Sequence, residues 1–218
     1  MAGRLLILAG VLASLACAGV AYAATINGTN GSDTLIGTTH SDTINAKGGV
    51  LDIVFGLSGN DRIRGGAGPD QIQGDGSCPS SKTKDVNLCN QNAGSGNDDI
   101  QGGSGDDVIV ANRGNDKASG GSGADNLDGG RGNDRVDGGS GDDTVYGGPG
   151  NDTVRGGTGN DTVNGGPGRD RVFGDAGNDM IEARDKQRDS INCGPGDDTV
   201  MADSNDNVAK NCEHVQRS

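Results

Sequence analysis

The 218-residue chain has no Trp, only two Tyr and two Phe, and is 30% hydrophobic, against ~45–50% in an ordinary globular domain. A conventional core of large apolar side chains is therefore excluded. Cations are also few: 18 Lys and Arg against 31 Asp and Glu give a formal charge of −13. A cationic groove for nucleic acid is excluded with them, because phosphate would meet a like charge. The only histidines, His40 and His214, stand too far apart for an HExxH zinc-protease motif. Glycine is what the chain has in abundance, 43 residues of it. Such a composition fits a disordered acidic chain, or a repetitive fold stabilised by something other than its core.

Residues 1–23 read as a cleavable signal peptide. Arg4 precedes an apolar run from Leu5 to Leu15, and Ala21-Tyr22-Ala23 supplies the small-x-small cleavage pattern. The run is too short to span hydrocarbon comfortably, so no membrane span is expected after cleavage. Leu15 lies one place too close to Cys17 for a lipobox. The expected destination is extracellular, by the general export route. Four cysteines remain beyond residue 23: Cys78, Cys89, Cys193 and Cys212. An even count outside the cell reads as disulfides. Three connectivities are possible, and the local pairs Cys78–Cys89 and Cys193–Cys212 are favoured. A zinc site has no CxxC spacing to support it.

Periodicity decides between disorder and a repeat. From 93 to 182 the chain divides into ten nonapeptides without insertion, among them GGSGDDVIV (102–110), GGPGNDTVR (147–155) and GGTGNDTVN (156–164). Position four is Gly and position six is Asp in all ten; position eight is Ile, Leu or Val except at Ala118. Self-similarity at a fixed short period marks a solenoid. Gly-Gly-x-Gly-x-Asp turns tightly, and x-U-x is a short strand with U pointing inward. Two units make one eighteen-residue coil. Strands nine apart face each other, and strands eighteen apart stack in parallel.

One Val-sized side chain per strand contributes about 1.5–3 kcal/mol when fully buried. Ordering nine residues costs about 1–2 kcal/mol for each, so apolar burial alone loses. The Asp ladder adds repulsion between like charges. A hard divalent cation would convert that repulsion into attraction. Ca2+ takes six to eight oxygens at ~2.3–2.6 Å, and carboxylates with Gly-turn carbonyls supply them; Mg2+ demands a stricter, smaller octahedron. Asp98/Asp116 and Asp107/Asp125 should bracket neighbouring sites.

The units match GGxGxDxUx and so resemble the nonapeptide repeats of the repeats-in-toxin, or haemolysin-type, calcium-binding family. The resemblance implies an all-β parallel β-roll with calcium between successive turns, held by the position-six Asp and turn carbonyls. Carried over, the candidate ligands are Asp98, Asp107, Asp116, Asp125, Asp134, Asp143, Asp152, Asp161, Asp170 and Asp179. Looser units flank this block. Residues 24–73 keep the Asp-x-U beat at Asp33, Asp42, Asp61 and Asp70, with a one-residue slip at Asp52. Asp61 and Asp70 join the ligand set. Residues 74–92 read as an inserted disulfide loop. Residues 183–218 resume the beat imperfectly at Asp189, Asp198 and Asp206 and read as a disulfide-containing C-terminal cap, with Asp198 as a further ligand. The charged stretch Glu182, Arg184 and Lys186 fits either a break in rhythm or a hinge. Asp203 is expected to matter little.

No enzyme is expected. The sequence GGSGD (102–106) has the small residues of a nucleophile elbow but no His partner, and the repeat already accounts for the paired carboxylates. The expected function is a secreted, non-enzymatic calcium-binding protein that folds as it binds. One alternative is an extracellular adhesion or matrix module with a cell-envelope partner, displaying Val110, Tyr146 and Phe173. The other is a calcium-dependent ice-binding protein, which the mixed residues at position three do not favour.

Overall fold

A computed structural model describes residues 23–76 and 95–218. Residues 1–22 and 77–94, and with them the expected Cys78–Cys89 pairing, lie outside the described residues. Wherever the Asp-x-U beat falls, the chain is extended. Among the described residues twenty strands form two ten-stranded parallel sheets, with alternate strands entering alternate sheets. In the first sheet Val136 pairs with Ala118 and Val154; in the second Val145 pairs with Leu127 and Val163. The architecture is the all-β parallel solenoid that the period predicts.

The core is a single file of side chains from each sheet. Ile100, Val136, Val154 and Val172 face Ile109, Leu127, Val145 and Val163, all fully buried. Ala118 keeps its place in the file although it fills less space. The glycines set how closely coils can stack. A Cβ at Gly132 would stand 1.4 Å from the carbonyl oxygen of Gly114, one coil below. No side chain fits there, which is why position four is invariant. Position two requires positive φ, and within the regular block two non-glycine residues accept it with help. Asn112 (φ 82°) donates its Nδ2 to the Asp75 carbonyl at 2.7 Å, and Asp175 (φ 72°) pairs with Arg155 at 3.0 Å.

The two sheets differ in a way the uniform three-residue expectation misses. In the regular block first-sheet strands run six residues, as in Lys117–Ser122 and Arg135–Ser140, whereas second-sheet strands such as Asn126–Asp128, Thr144–Tyr146 and Thr162–Asn164 run three. After a first-sheet strand, Ser122 and Ser140 at position three continue the pairing. After a second-sheet strand the same position holds Arg113, Arg131, Pro149 or Pro167. Proline has no N–H to donate to a ladder, and pairing there shrinks to the isolated bridges Arg113↔Arg131 and Gly150↔Gly168.

Irregular stretches are absorbed without loss of register. Thr34 pairs with Ile53 and Thr43 with Arg62, coils one residue longer than the rest. Across the undescribed 77–94, Arg62 pairs directly with Asp99 and Gln71 with Val108. At 184–188 a further residue is taken up where Lys186 adopts φ 72° and Arg184 pairs with Glu182 at 2.8 Å. Both sheets run on through this stretch, so it is an insertion and not a hinge.

The C-terminal segment adds two more strands to each sheet, ending with His214–Arg217 on Thr199–Ala202. A disulfide joins Cys193 to Cys212, with Cα atoms 5.2 Å apart. Asp203 is central here, contrary to expectation. Its carboxylate accepts the N–H groups of Asp185 (2.9 Å) and Lys186, and its carbonyl accepts Arg217 Nη1 at 3.0 Å. The sequence beat passes over Asp203 because its role comes from a loop closing back on the coil, not from the repeat.

Candidate metal centre

Position six precedes each strand, so successive coils stack their Asp residues along the two turn edges. On the first edge the backbone N–H of each Asp donates to Oδ1 of the Asp in the next coil: Asp61 to Asp98, Asp98 to Asp116 and Asp116 to Asp134 at 2.8 Å, then Asp134 to Asp152 at 2.7 Å, and on through Asp170 to Asp189. The second edge repeats this from Asp52 through Asp70, Asp107, Asp125, Asp143, Asp161 and Asp179 to Asp198. Both ladders cross the undescribed segment without a break. All thirteen residues expected as ligands stand in these ladders, and all are buried.

The other carboxylate oxygen defines the chemistry. In fifteen Asp residues, from Asp52 to Asp198, Oδ2 is buried and accepts no hydrogen bond. Buried acceptors are nearly always paired, and an unpaired buried anion is costlier still. Burial pushes the carboxyls up: Asp98 to about 8, with Asp75, Asp61 and Asp116 adding repulsion; Asp61, Asp107, Asp134, Asp143, Asp170 and Asp189 to about 7; Asp70, Asp116, Asp152 and Asp179 to about 6. Asp52, Asp125, Asp161 and Asp198 move the same way for the same reason. The ladder hydrogen bonds oppose this rise without cancelling it. Near neutral pH the ladders therefore need either protons or a cation.

Asp52 and Asp189 were absent from the expected ligand set. Their turns carry Val50 and Gln187 where the regular units have Gly, yet each takes its place in a ladder with an unpartnered Oδ2. The signal that finds them is the Asp-x-U beat itself, followed through the longer coils. Asp75, buried and with Oδ1 unpartnered, lies outside that beat and has no signal in the repeat.

Among the described residues no three His, Cys, Asp or Glu side chains converge on one point. An ion between coils must complete its shell from backbone carbonyls, which suits a hard cation and not zinc. Beside each position-one glycine, oxygens crowd the space a side chain would take. A Cβ at Gly102 would meet Asp107 Oδ2 at 2.3 Å and the Gly120 carbonyl of the next coil at 2.6 Å. Anionic oxygens and carbonyls in regular array fit calcium.

Fold and ladders together define a parallel β-solenoid with carboxylate ladders along its turns. The family model described as RTX calcium-binding nonapeptide repeat (4 copies) matches residues 19–50, 52–77, 92–127, 119–154 and 146–181, more than half of the chain. The chain belongs to this family, and its repeats bind Ca2+. A comparison with curated proteins found no match.

Among the described residues the outer faces carry no regular Thr array. Along the second sheet, the residues before the buried one run Val108, Asn126, Thr144, Thr162, Met180 and Thr199. The three apolar residues expected to project do not form one patch. Tyr146 is exposed on the second sheet and Val110 is half-buried there, whereas Phe173 lies on the first sheet under the Arg155 guanidinium, 4.1 Å from the ring centroid. Among the described residues, no helix is long and apolar enough to cross a membrane.

Proposed function

We propose that this is a secreted, non-enzymatic calcium-binding protein whose coils close as the ion binds. The ligands are the thirteen Asp residues named from the sequence together with Asp52 and Asp189, each acting with carbonyls of the Gly-rich turns. The fifteen buried, unpartnered Oδ2 atoms carry this reading. They account for the carboxylate pairs without any catalytic role. Calcium supplies the charge that lets adjacent coils approach, so binding free energy becomes folding free energy. Residues 1–23, read as a cleavable signal, support export to where calcium is plentiful. Titration of the full chain with calcium, followed by calorimetry and circular dichroism, tests the reading: strand signal should grow in step with ion uptake and vanish on chelation. A strand spectrum indifferent to chelator near pH 8 would sink it.

A further inference from the structure

The cations of this acidic chain are unevenly placed. On the outer face of the first sheet, Arg62 and Lys117 share Asp99, Arg135 pairs with Asp137, and Arg155 with Asp175. Toward the C-terminal end the pattern changes. Arg169, Arg171 and Arg188 border one groove of about 450 Å3, with Asn151, Thr153 and Ser190 beside them. All three arginines are exposed, and among the described residues none has a carboxylate oxygen within 4.0 Å. The ladder explains why they stand together. Arg169 takes the turn position that Asn115, Asn133 and Asn151 hold in earlier coils, and its backbone N–H still donates to Asn151 Oδ1 at 3.1 Å. Arg188 precedes Asp189 one coil on, as Arg169 precedes Asp170.

We infer that this groove binds an oxyanion group, carboxylate or sulfate, borne on an acidic polysaccharide, and that it does so only when calcium occupies the ladders. Guanidinium forks match such groups in charge and geometry, and the neighbouring amides and hydroxyls add donors. The groove floor includes Asp152, Asp170 and Asp189. With these anions uncompensated the site repels its ligand; calcium on the ladder removes that opposition. The inference rests on the calcium reading proposed above. A glycan chain is favoured over a nucleic acid because, among the described residues, the only aromatic on this face, Phe173, is covered by Arg155 and offers no base a stacking surface.

The test uses the full chain and a triple variant, Arg169→Asn, Arg171→Thr and Arg188→Asn, which gives both turn positions the residue of Asn151 and the strand position the residue of Thr153. Binding of polygalacturonate oligomers and of a sulfated glycan is measured in calcium and in chelator, with sodium sulfate and single-stranded DNA as competitors. Calcium-induced strand signal is recorded for both proteins. The expected result is glycan binding in calcium alone, at least about tenfold weaker in the variant, with its strand signal intact. Equal glycan affinity for the two proteins, both ordered by calcium, would overturn the groove. So would displacement by sulfate at the concentration of glycan groups, or by DNA at lower concentration than glycan. A wild-type chain that calcium fails to order would instead overturn the calcium reading.

Discussion

In the first coil, Asp33 and Asp42 turn Oδ2 toward Thr29 and Thr38, whose backbone N–H groups donate to it. From Asp52 to Asp198 the same oxygen has no partner. The difference is set four residues before each Asp. In the regular units the described residues there take positive φ, as Gly or as Asn112 and Asp175, whereas Thr29 and Thr38 are not in that region, and their N–H groups close locally on the carboxylate. The Thr29 hydroxyl adds a further bond at 3.0 Å. One substitution pattern thus converts a cation-requiring turn into a self-satisfied one. On the reading proposed above, the carboxylates of the first coil need no cation, and the regular block is where calcium acts.

The sharpest way to break this contrast is to remove the metal and vary pH. In the calcium-free roll burial holds eleven ladder carboxyls at about 6–8 and pushes Asp52, Asp125, Asp161 and Asp198 up as well, against 3.8 for a free Asp, so the folded chain binds more protons than the unfolded one. That stabilisation is full below about pH 4 and is lost as pH rises through about 6–8. In chelator, circular dichroism should therefore show strand near pH 5 and its loss by about pH 8. Calcium should reverse the loss, with affinity falling as acid competes for the same oxygens.

Next in size is charge removal in the middle of the roll. Asp134→Ala with Asp152→Ala deletes two neighbouring rungs of the first-edge ladder. Calorimetry should show fewer ions bound and a midpoint shifted to higher calcium by about tenfold or more. Glycine substitutions then probe the stacking. Gly132→Ala forces a contact at 1.4 Å and should destabilise by about 3 kcal/mol or more. Gly31→Ala has only Thr29 Oγ1 within reach, at 3.7 Å, and should be neutral or gain about 0.4–1 kcal/mol. Thermal melts in saturating calcium would compare the two. Replacing Cys193 and Cys212 by Ser opens a loop of nineteen-residue separation, expected to cost about 3 kcal/mol, with hydrogen exchange rising most around 199–217. The smallest effect belongs to Asp33→Asn: if the first coil binds no ion, calcium stoichiometry should not change.

Much of this was legible in the one-dimensional pattern, because each feature repeats a local physical demand. The inward residue must be apolar, position four must be Gly because the coil below leaves no room, and position six must be Asp to reach back along the edge. These demands recur every nine residues and give parallel pairing, the core file and thirteen ladder positions. Where the period slips, the reading weakens. Asp52 and Asp189 lost their place in the ligand set because their turns carry Val50 and Gln187 in place of the Gly two residues before the Asp, although a turn of irregular length can still deliver an Asp to the ladder. The six-residue strands of the first sheet were missed because the pairing of Ser122 with Ser140 depends on which edge a turn occupies.

Composition and period alone determined that this chain winds into a solenoid, that its core is thin, and that hard oxygens recur at fixed spacing. Tertiary structure decided which oxygen of each Asp is used up by the neighbouring coil and which is left over. It also decided that Asp203 ties the C-terminal turn and that three arginines border one groove with no ion-pair partner among the described residues. These facts arise from groups eighteen or more residues apart coming within bonding distance, and that proximity exists only once the coils are stacked.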